Sequence, residues 1–422
     1  MSVPTVEVLL LCWRDTDHPQ GGGSERYLER VGAELARRGL RVTLLTARYP
    51  GSARREYRDG VQVIRAGGRL TVYPRTFATL VAARVGRGRL RGRRPDVVVD
   101  TQNGVPFFAA LTGLAPTVLL VHHCHREQWP VAGPVLARIG WWIESWLSPR
   151  VHRNTRYVTV SGPSAAELVT LGVAAENIAV VRNGLDPLPG GVGATSCWSS
   201  GVETTRPDEH AFSNPEPRLV VLSRLVPHKQ VEHALAAVAG LRDRGIVVHL
   251  DVVGGGWWAQ ALTEEAARLG IDGQVTFHGH VDERRKHQLL AAADLHLMPS
   301  RKEGWGLAVI EAAQHGVPTI GYRASSGLTD SIVDGSTGLL VDDAVGLTEA
   351  AAALLADRDR LTALGEAARE RSRRYSWELT ADGFAAVFAE LLALGRDVPS
   401  PPPHARHDTD DEAAEPDGVR GQ

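Results

Sequence analysis

Apolar and polar positions along the chain change period many times. Val6–Cys12 is a continuous apolar run that ends in a turn-rich loop. Ser24–Arg38 follows with Tyr27, Leu28, Val31 and Leu35 at helical spacing on one face. Short apolar runs, many of them β-branched, recur at Arg41–Thr46, Val61–Arg65, Asp96–Asp100, Thr117–Val121, Tyr157–Val160 and Ile178–Val181. Strands that are apolar throughout, with helices between them, predict a mostly parallel sheet covered on both faces.

The periodicity stops at Pro187–Pro217, a stretch rich in Gly, Ser, Thr, Pro and Glu. It reads as a flexible linker, residues 188–217, with an insertion disordered over much of Gly190–Asn214. The pattern then restarts. Strands are expected at Leu219–Leu222, Val247–Val253, Val275–Phe277, Leu295–Met298 and Pro318–Gly321. Helical spacing falls at Val231–Leu241, Trp258–Leu269, Glu283–Ala292 and Leu307–His315. Two more helices follow at Leu347–Leu355 and Arg358–Arg373, and a last amphipathic one runs from about Ser376 to Leu394. The proline-rich, acidic end, from about residue 396 to 422, is expected to be disordered. The predicted fold class is α/β: two doubly wound Rossmann-like domains, 1–187 and 218–375, facing a central cleft at the carboxyl ends of their sheets.

Composition narrows the function classes. A chain of 422 residues, 43% apolar and 23% charged, fits a soluble protein of two or three domains. A formal net charge of −2 argues against a nucleic-acid partner. Three scattered cysteines cannot build a disulfide framework, which points to a reducing, cytoplasmic setting. No apolar stretch approaches the roughly 18–20 residues of a membrane span. Val6–Cys12 lacks the basic leader and cleavage site of a signal peptide, so it reads as a strand. Of 47 basic residues only Lys229, Lys286 and Lys302 are lysines, a genomic bias that makes each of the three worth locating.

Three segments carry candidate chemistry. Arg301–Ala312 (RKEGWGLAVIEA) follows a predicted strand and opens a helix. Its glycines let a ligand approach the backbone, and the amides from Gly306 onward form a helix N-terminus suited to anions. Glu311 sits among apolar neighbours, where a carboxylate needs hydrogen bonds, expected from a ligand hydroxyl. Ser223–Gln230 (SRLVPHKQ) lies at the end of the first strand of the second half. Arg224 and Lys229 there offer a fork and a point charge, a pairing suited to a diphosphate. Gly21-Gly22-Gly23-Ser24-Glu25 is a strand-to-helix turn that fails as a dinucleotide fingerprint, because the third glycine and the ribose-binding acid are missing.

The order of GGGSE (21–25), SGPSAAEL (161–168), NGLD (183–186), SRLVPHK (223–229) and EGWGLAVIEA (303–312) resembles the retaining glycosyltransferase family 4, of the GT-B fold. The likeness spans about 320 residues, and its most specific part is Glu-x7-Glu with the upstream Arg/Lys pair. It implies that Arg224 and Lys229 bind the donor diphosphate and that Glu311 bonds the nucleotide ribose. Glu303 would lie near the donor sugar, and the amides of Gly306 and Leu307 would add to the diphosphate site. Gly22 and Gly23 would lie across the cleft, with Gly254 on the donor side. The histidine expected near the anomeric centre is His122, or His123 as fallback. Arg224, Lys229, Glu303 and His122 form the expected catalytic set. The final helix would cross back onto the first domain.

The resemblance implies transfer of a hexosyl or related unit from a nucleotide-diphosphate sugar to an acceptor hydroxyl, with retention. The setting would be glycan, glycolipid or cell-envelope polysaccharide synthesis. Alternatives are a GT-B sugar-nucleotide epimerase, a phosphorylase or a non-catalytic nucleotide-sugar-binding subunit. No cofactor and no metal are expected. His122, His123, Cys124 and His125 are too close in sequence to converge on one zinc. Asp15-Thr16-Asp17 reads as a solvated loop. The acceptor is a sugar or a lipid-linked group. Six arginines between Arg84 and Arg94, and Trp141, Trp142 and Trp146 beside Arg138 and Arg150, allow docking on an anionic membrane, at its inner face. The commoner reading of those features is a solvated helix face and a core aromatic stripe.

Overall fold

The computed structural model describes residues 5–19, 21–90, 93–190 and 216–392. Most of the linker expected at 188–217, and the tail expected at 396–422, lie outside the described residues.

Two sheets carry the fold. The first holds β1 (Glu7–Leu11), β2 (Arg41–Thr46), β3 (Arg55–Arg58), β4 (Val61–Arg65), β5 (Val97–Thr101), β6 (Thr117–Val121), β7 (Arg156–Thr159) and β8 (Ile178–Val180). Their order is 3-4-2-1-5-6-7-8, parallel except for the antiparallel pair β3–β4. The second holds β9 (Arg218–Leu222), β10 (His249–Val253), β11 (Val275–Gly279), β12 (Leu295–Met298), β13 (Thr319–Tyr322) and β14 (Gly338–Val341), all parallel, in the order 11-10-9-12-13-14. Strand order reverses beside β1 and beside β9, so the loops after those strands border the crevice where such sheets bind ligands.

Two strands escaped the apolar pattern. β3 reads Arg-Glu-Tyr-Arg, an edge strand with its side chains in solvent or ion pairs, so no alternation marks it. β14 is a four-residue strand entered at Gly338, where a Cβ would come within 2.3 Å of the Thr319 carbonyl. Close backbone approach demands glycine there and removes the strand-like residue.

The helix Trp377–Leu391 crosses back onto the first half. Its Trp377, Phe384 and Phe388 are buried with Tyr27, Leu28 and Val31 of the helix Gly23–Arg37. Asn183–Asp186 is its receptor. Gly184 lies against the Trp377 backbone, and Trp377 Nε1 donates to Asp186 Oδ1 at 2.9 Å. The same buried cluster continues from Leu10 and Leu120 of the first sheet to Trp305 and Ile310 of the second half, so it bridges the two halves, while the second half keeps a core of its own around Leu219, Leu250 and Leu297.

Candidate active site

The donor-side loops are held by backbone. After β9, Leu225 is buried and its amide bonds to the Gly255 carbonyl at 3.0 Å. Gly254 has φ +129°, and a Cβ there would come within 1.9 Å of the Ser223 carbonyl. Its lack of a side chain therefore lets the β10 loop brace the Arg224 loop. Arg224 is an exposed residue on that brace, with no carboxylate partner among the described residues. Lys229 Nζ meets Glu303 Oε1 at 2.5 Å, and each side chain is 12% exposed. The two predicted motifs therefore meet directly, one contributing a cation and the other an anion.

Gly306 caps the helix Leu307–Gln314 with φ +91°, a conformation that favours glycine. A Cβ there would also press on Leu328. A helix N-terminus of this kind suits an anion, although the Val309 amide bonds back to the Gly306 carbonyl at 2.9 Å. Glu311, on the same helix, does not depend on a ligand for its hydrogen bond. Lys286 Nζ donates to Glu311 Oε1 at 2.7 Å and to Glu283 Oε2 at 2.8 Å. Glu283 in turn pairs with Arg26 of the first half at 2.8 Å. Burial raises the Glu283 pKa, but bonds from Arg26 and Lys286 outweigh it and hold the carboxyl down at about 2. Lys286 had no motif; its one sequence signal is that it is one of three lysines in an arginine-rich chain.

The facing wall comes from the first sheet. Gly22 caps the helix Gly23–Arg37, and its amide donates to Glu25 Oε2 at 2.8 Å. Gly23 lies opposite Leu307 of the donor helix, 4.0 Å from its position for a Cβ. Glu25, quoted in a motif but given no role, is fully buried and accepts from Arg14 Nε at 2.8 Å and Asn103 Nδ2 at 3.2 Å. His122 follows β6, packs edge-on to Tyr27 at 5.0 Å and leaves its buried Nε2 without a partner. Burial pushes its pKa down to about 4, so the ring is neutral near pH 7. His123 is neutral for the same reason and faces Gly304, where a Cβ would sit 3.3 Å from its Nδ1. The Ser161-Gly162-Pro163-Ser164 motif closes this contact: Ser161 Oγ and Ser164 Oγ both donate to the Gly304 carbonyl, at 2.6 and 3.2 Å. Arg182 and the Trp305 indole both bond to Asp330, tying the second motif loop to the first half.

Lys302, one of the three lysines, pairs with Glu167 of the first half at 2.8 Å. Several expectations need correction. Asp15 is no solvated loop residue. It is buried against Arg65, itself 1% exposed, at 2.6 Å. Asp17 is exposed and pairs with Arg58. His125 is bound to the buried Glu144 at 2.9 Å, while His122 turns toward Tyr27. Among the described residues no three His, Cys, Asp or Glu side chains converge as a metal site. Trp142 and Trp146 are not core: they are 49% and 42% exposed and stack at 5.1 Å. Val135, Leu136 and Ile139 extend that apolar stripe, and Arg150 lies over Trp146 at 4.2 Å. Trp141 is the exception, half-buried against Leu119 and Cys124. In the basic strip, Arg84 donates to the Thr112 carbonyl at 2.7 Å, and Arg87 and Arg89 are exposed. No helix of the described residues is long and apolar enough to cross a membrane.

The cleft thus gathers an exposed arginine, a paired lysine, a helix N-terminus, two carboxylates held by lysines and a neutral histidine with a free ring nitrogen. Cations and amide dipoles aimed at one place stabilise a departing anion without reorganising.

Comparison with known proteins gives a consistent picture. The family model described as Glycosyltransferase Family 4 matches residues 21–187, and that described as Glycosyl transferases group 1 matches residues 202–371. A GDP-mannose-dependent alpha-(1-6)-phosphatidylinositol monomannoside mannosyltransferase of Mycolicibacterium smegmatis is 30% identical over 401 residues, covering 90% of this chain and 97% of that relative. Among solved structures, a sucrose-phosphate synthase from Thermosynechococcus elongatus superposes with a TM-score of 0.73 at 19% identity, covering 92% of this chain and 99% of the other. The Anabaena protein HepE, solved with UDP and glucose, superposes with a TM-score of 0.66 at 16% identity, over 92% of this chain and all of the other. These two carry the two-sheet fold.

Proposed function

This chain belongs to the family 4, group 1 glycosyltransferases, and we propose that it moves a hexosyl unit from a nucleotide-diphosphate sugar to an acceptor hydroxyl with retention of anomeric configuration. The observation that carries the reading is the meeting of the two donor motifs: Arg224 exposed beside the Lys229–Glu303 pair, with the helix N-terminus at Gly306 in the same cleft. As the anomeric bond breaks, negative charge grows on the diphosphate. Arg224, Lys229 and the Gly306 and Leu307 amides oppose it, so the reaction on this reading needs no divalent ion. Glu311, oriented by Lys286, takes the nucleotide ribose, and Glu303 takes the sugar hydroxyls. His122 Nε2 is buried and unpaired, so it can accept from a hydroxyl near the anomeric centre.

The acceptor reading follows from the surface. The stripe Val135, Leu136, Ile139, Trp142 and Trp146 with Arg150 suits an anionic lipid surface. Gly140 on that helix packs on Trp129, which lines the cleft, so the stripe borders the cleft mouth. A lipid-linked acceptor, as in the name of the mycolicibacterial relative, would be presented there.

The experiment is a thermal-shift panel of GDP-, UDP- and ADP-sugars in EDTA, followed by NMR assignment of the product anomer. GDP-mannose is the first donor to try. Stabilisation by at least one nucleotide sugar and a product of unchanged anomeric configuration are expected. An inverted product removes retention, and turnover without any acceptor moves the reading to an epimerase.

A further inference from the structure

Charged side chains alternate in sign along a path that runs from one half of the molecule to the other. Arg30 Nε lies 2.9 Å from Asp186 Oδ1, and Asp186 also pairs with Arg26. Arg26 forks onto Glu283, with Nη1 2.8 Å from Oε1 and Nη2 3.0 Å from Oε2. Lys286 then donates to both Glu283 and Glu311, at 2.8 and 2.7 Å. The path ends at Glu311, the carboxylate read as the partner of the nucleotide ribose.

Each link has a local cause. Arg26 lies on the helix Gly23–Arg37, one turn beyond the glycines of the facing wall. Asp186 closes the Asn183–Asp186 segment and accepts from the Trp377 indole. Glu283 and Lys286 stand three apart in the first turn of the helix Glu283–Ala292, which puts them on one face. Gln314, one turn beyond Glu311, donates to the Asp186 carbonyl at 3.0 Å, so the end of the ribose helix is tied to the same segment.

Lys286 is the weak point of the path. Its single ammonium serves two carboxylates, and its side chain is only 9% exposed. Glu311 is 12% exposed and Glu283 51%, so Glu311 is the one that water cannot easily compensate. The bidentate guanidinium of Arg26 satisfies Glu283. Without it, Glu283 would draw Lys286 away from Glu311.

We propose that Arg26 is a positioning residue for the nucleotide ribose: it holds Glu283 from the first half and so leaves Lys286 to fix Glu311 against the ribose hydroxyls. This rests on the reading of Glu311 as the ribose carboxylate. It gives the half without the donor motifs a part in nucleotide affinity.

The test measures dissociation constants for GDP, or for UDP if that binds tighter, for its 2′,3′-dideoxy form and for inorganic pyrophosphate. The wild-type chain is expected to prefer the ribose form to the dideoxy form. Arg26→Met is expected to bind the ribose form about fivefold more weakly, and the other two ligands within about twofold of wild type. In a Glu283→Gln background, where Lys286 is no longer shared, Arg26→Met is expected to cost less than about twofold. A loss shared by all three ligands overturns the proposal, because a brace that merely joins the halves, or a guanidinium lying on the diphosphate, would produce it. Unchanged affinity for the ribose form also overturns it. So does a full loss in the Glu283→Gln background, a comparison that stands whether or not Arg26→Met folds alone. If the wild type binds the ribose and dideoxy forms alike, the reading of Glu311 fails and takes the proposal with it. If the wild type discriminates and Arg26→Met discriminates equally, the proposal fails and that reading survives.

Discussion

The two walls of the cleft are built in opposite ways. The donor wall uses two short contiguous segments, 223–229 and 301–311, each at the end of a strand of the second sheet. The facing wall draws single residues from many loops: Arg14, Glu25, Arg69, Asn103, His122 and Trp129. On the proposed reading a diphosphate meets one cation pair and one helix N-terminus, which a strand-loop-helix unit supplies by itself. An acceptor presents a larger and more varied surface, so its wall needs the sheet to bring distant loops together. The donor wall is thus local in sequence, and the facing wall is local only in space.

The sharpest way to break that contrast is Lys229→Ala. It removes one cation from the leaving group and leaves Glu303 uncompensated, so kcat/KM for the nucleotide sugar should fall by roughly 10²–10³. A fall of less than threefold, measured in steady state, would take the leaving group away from the donor wall. Next is Lys286→Met, which keeps the stem and frees Glu311. The KM for the nucleotide sugar should rise about tenfold with kcat changed less than threefold, because a partly buried carboxylate without its partner no longer holds its orientation. A pure kcat effect would place Glu311 at the reacting centre instead. The smallest effect belongs to the rim of the facing wall. Trp142→Ser/Trp146→Ser should lower cosedimentation with anionic vesicles about tenfold and leave turnover of a soluble acceptor unchanged. Equal sedimentation of both proteins, or no response to salt, removes the membrane reading.

Legibility followed the same division. Arg224, Lys229, Glu303, Gly306 and Glu311 stood out because loop chemistry and glycine spacing are written in consecutive residues. The parallel strands stood out because burial on both faces makes them continuously apolar. β3 did not, since a charged edge strand has no apolar face. Lys286 carried no motif, and its partner lies 25 residues away on another helix. Asp15 looked solvated beside Asp17, yet it pairs with Arg65, 50 positions distant. Trp142 and Trp146 illustrate the reverse error. An aromatic spacing that suits a core suits a surface stripe equally, and the neighbouring elements decide which it is.

The chain alone therefore determined the two α/β halves, the final helix and the loop motifs proposed for the donor, because backbone period and local loop chemistry act over a few residues. Tertiary structure alone decided which lysine meets which glutamate, that Asn183–Asp186 receives Trp377, and that Arg26 of one half meets Glu283 of the other. Those pairings rest on distances between segments far apart in sequence. Burial then sets their consequences, since a charge taken from water must find a partner wherever the fold supplies one.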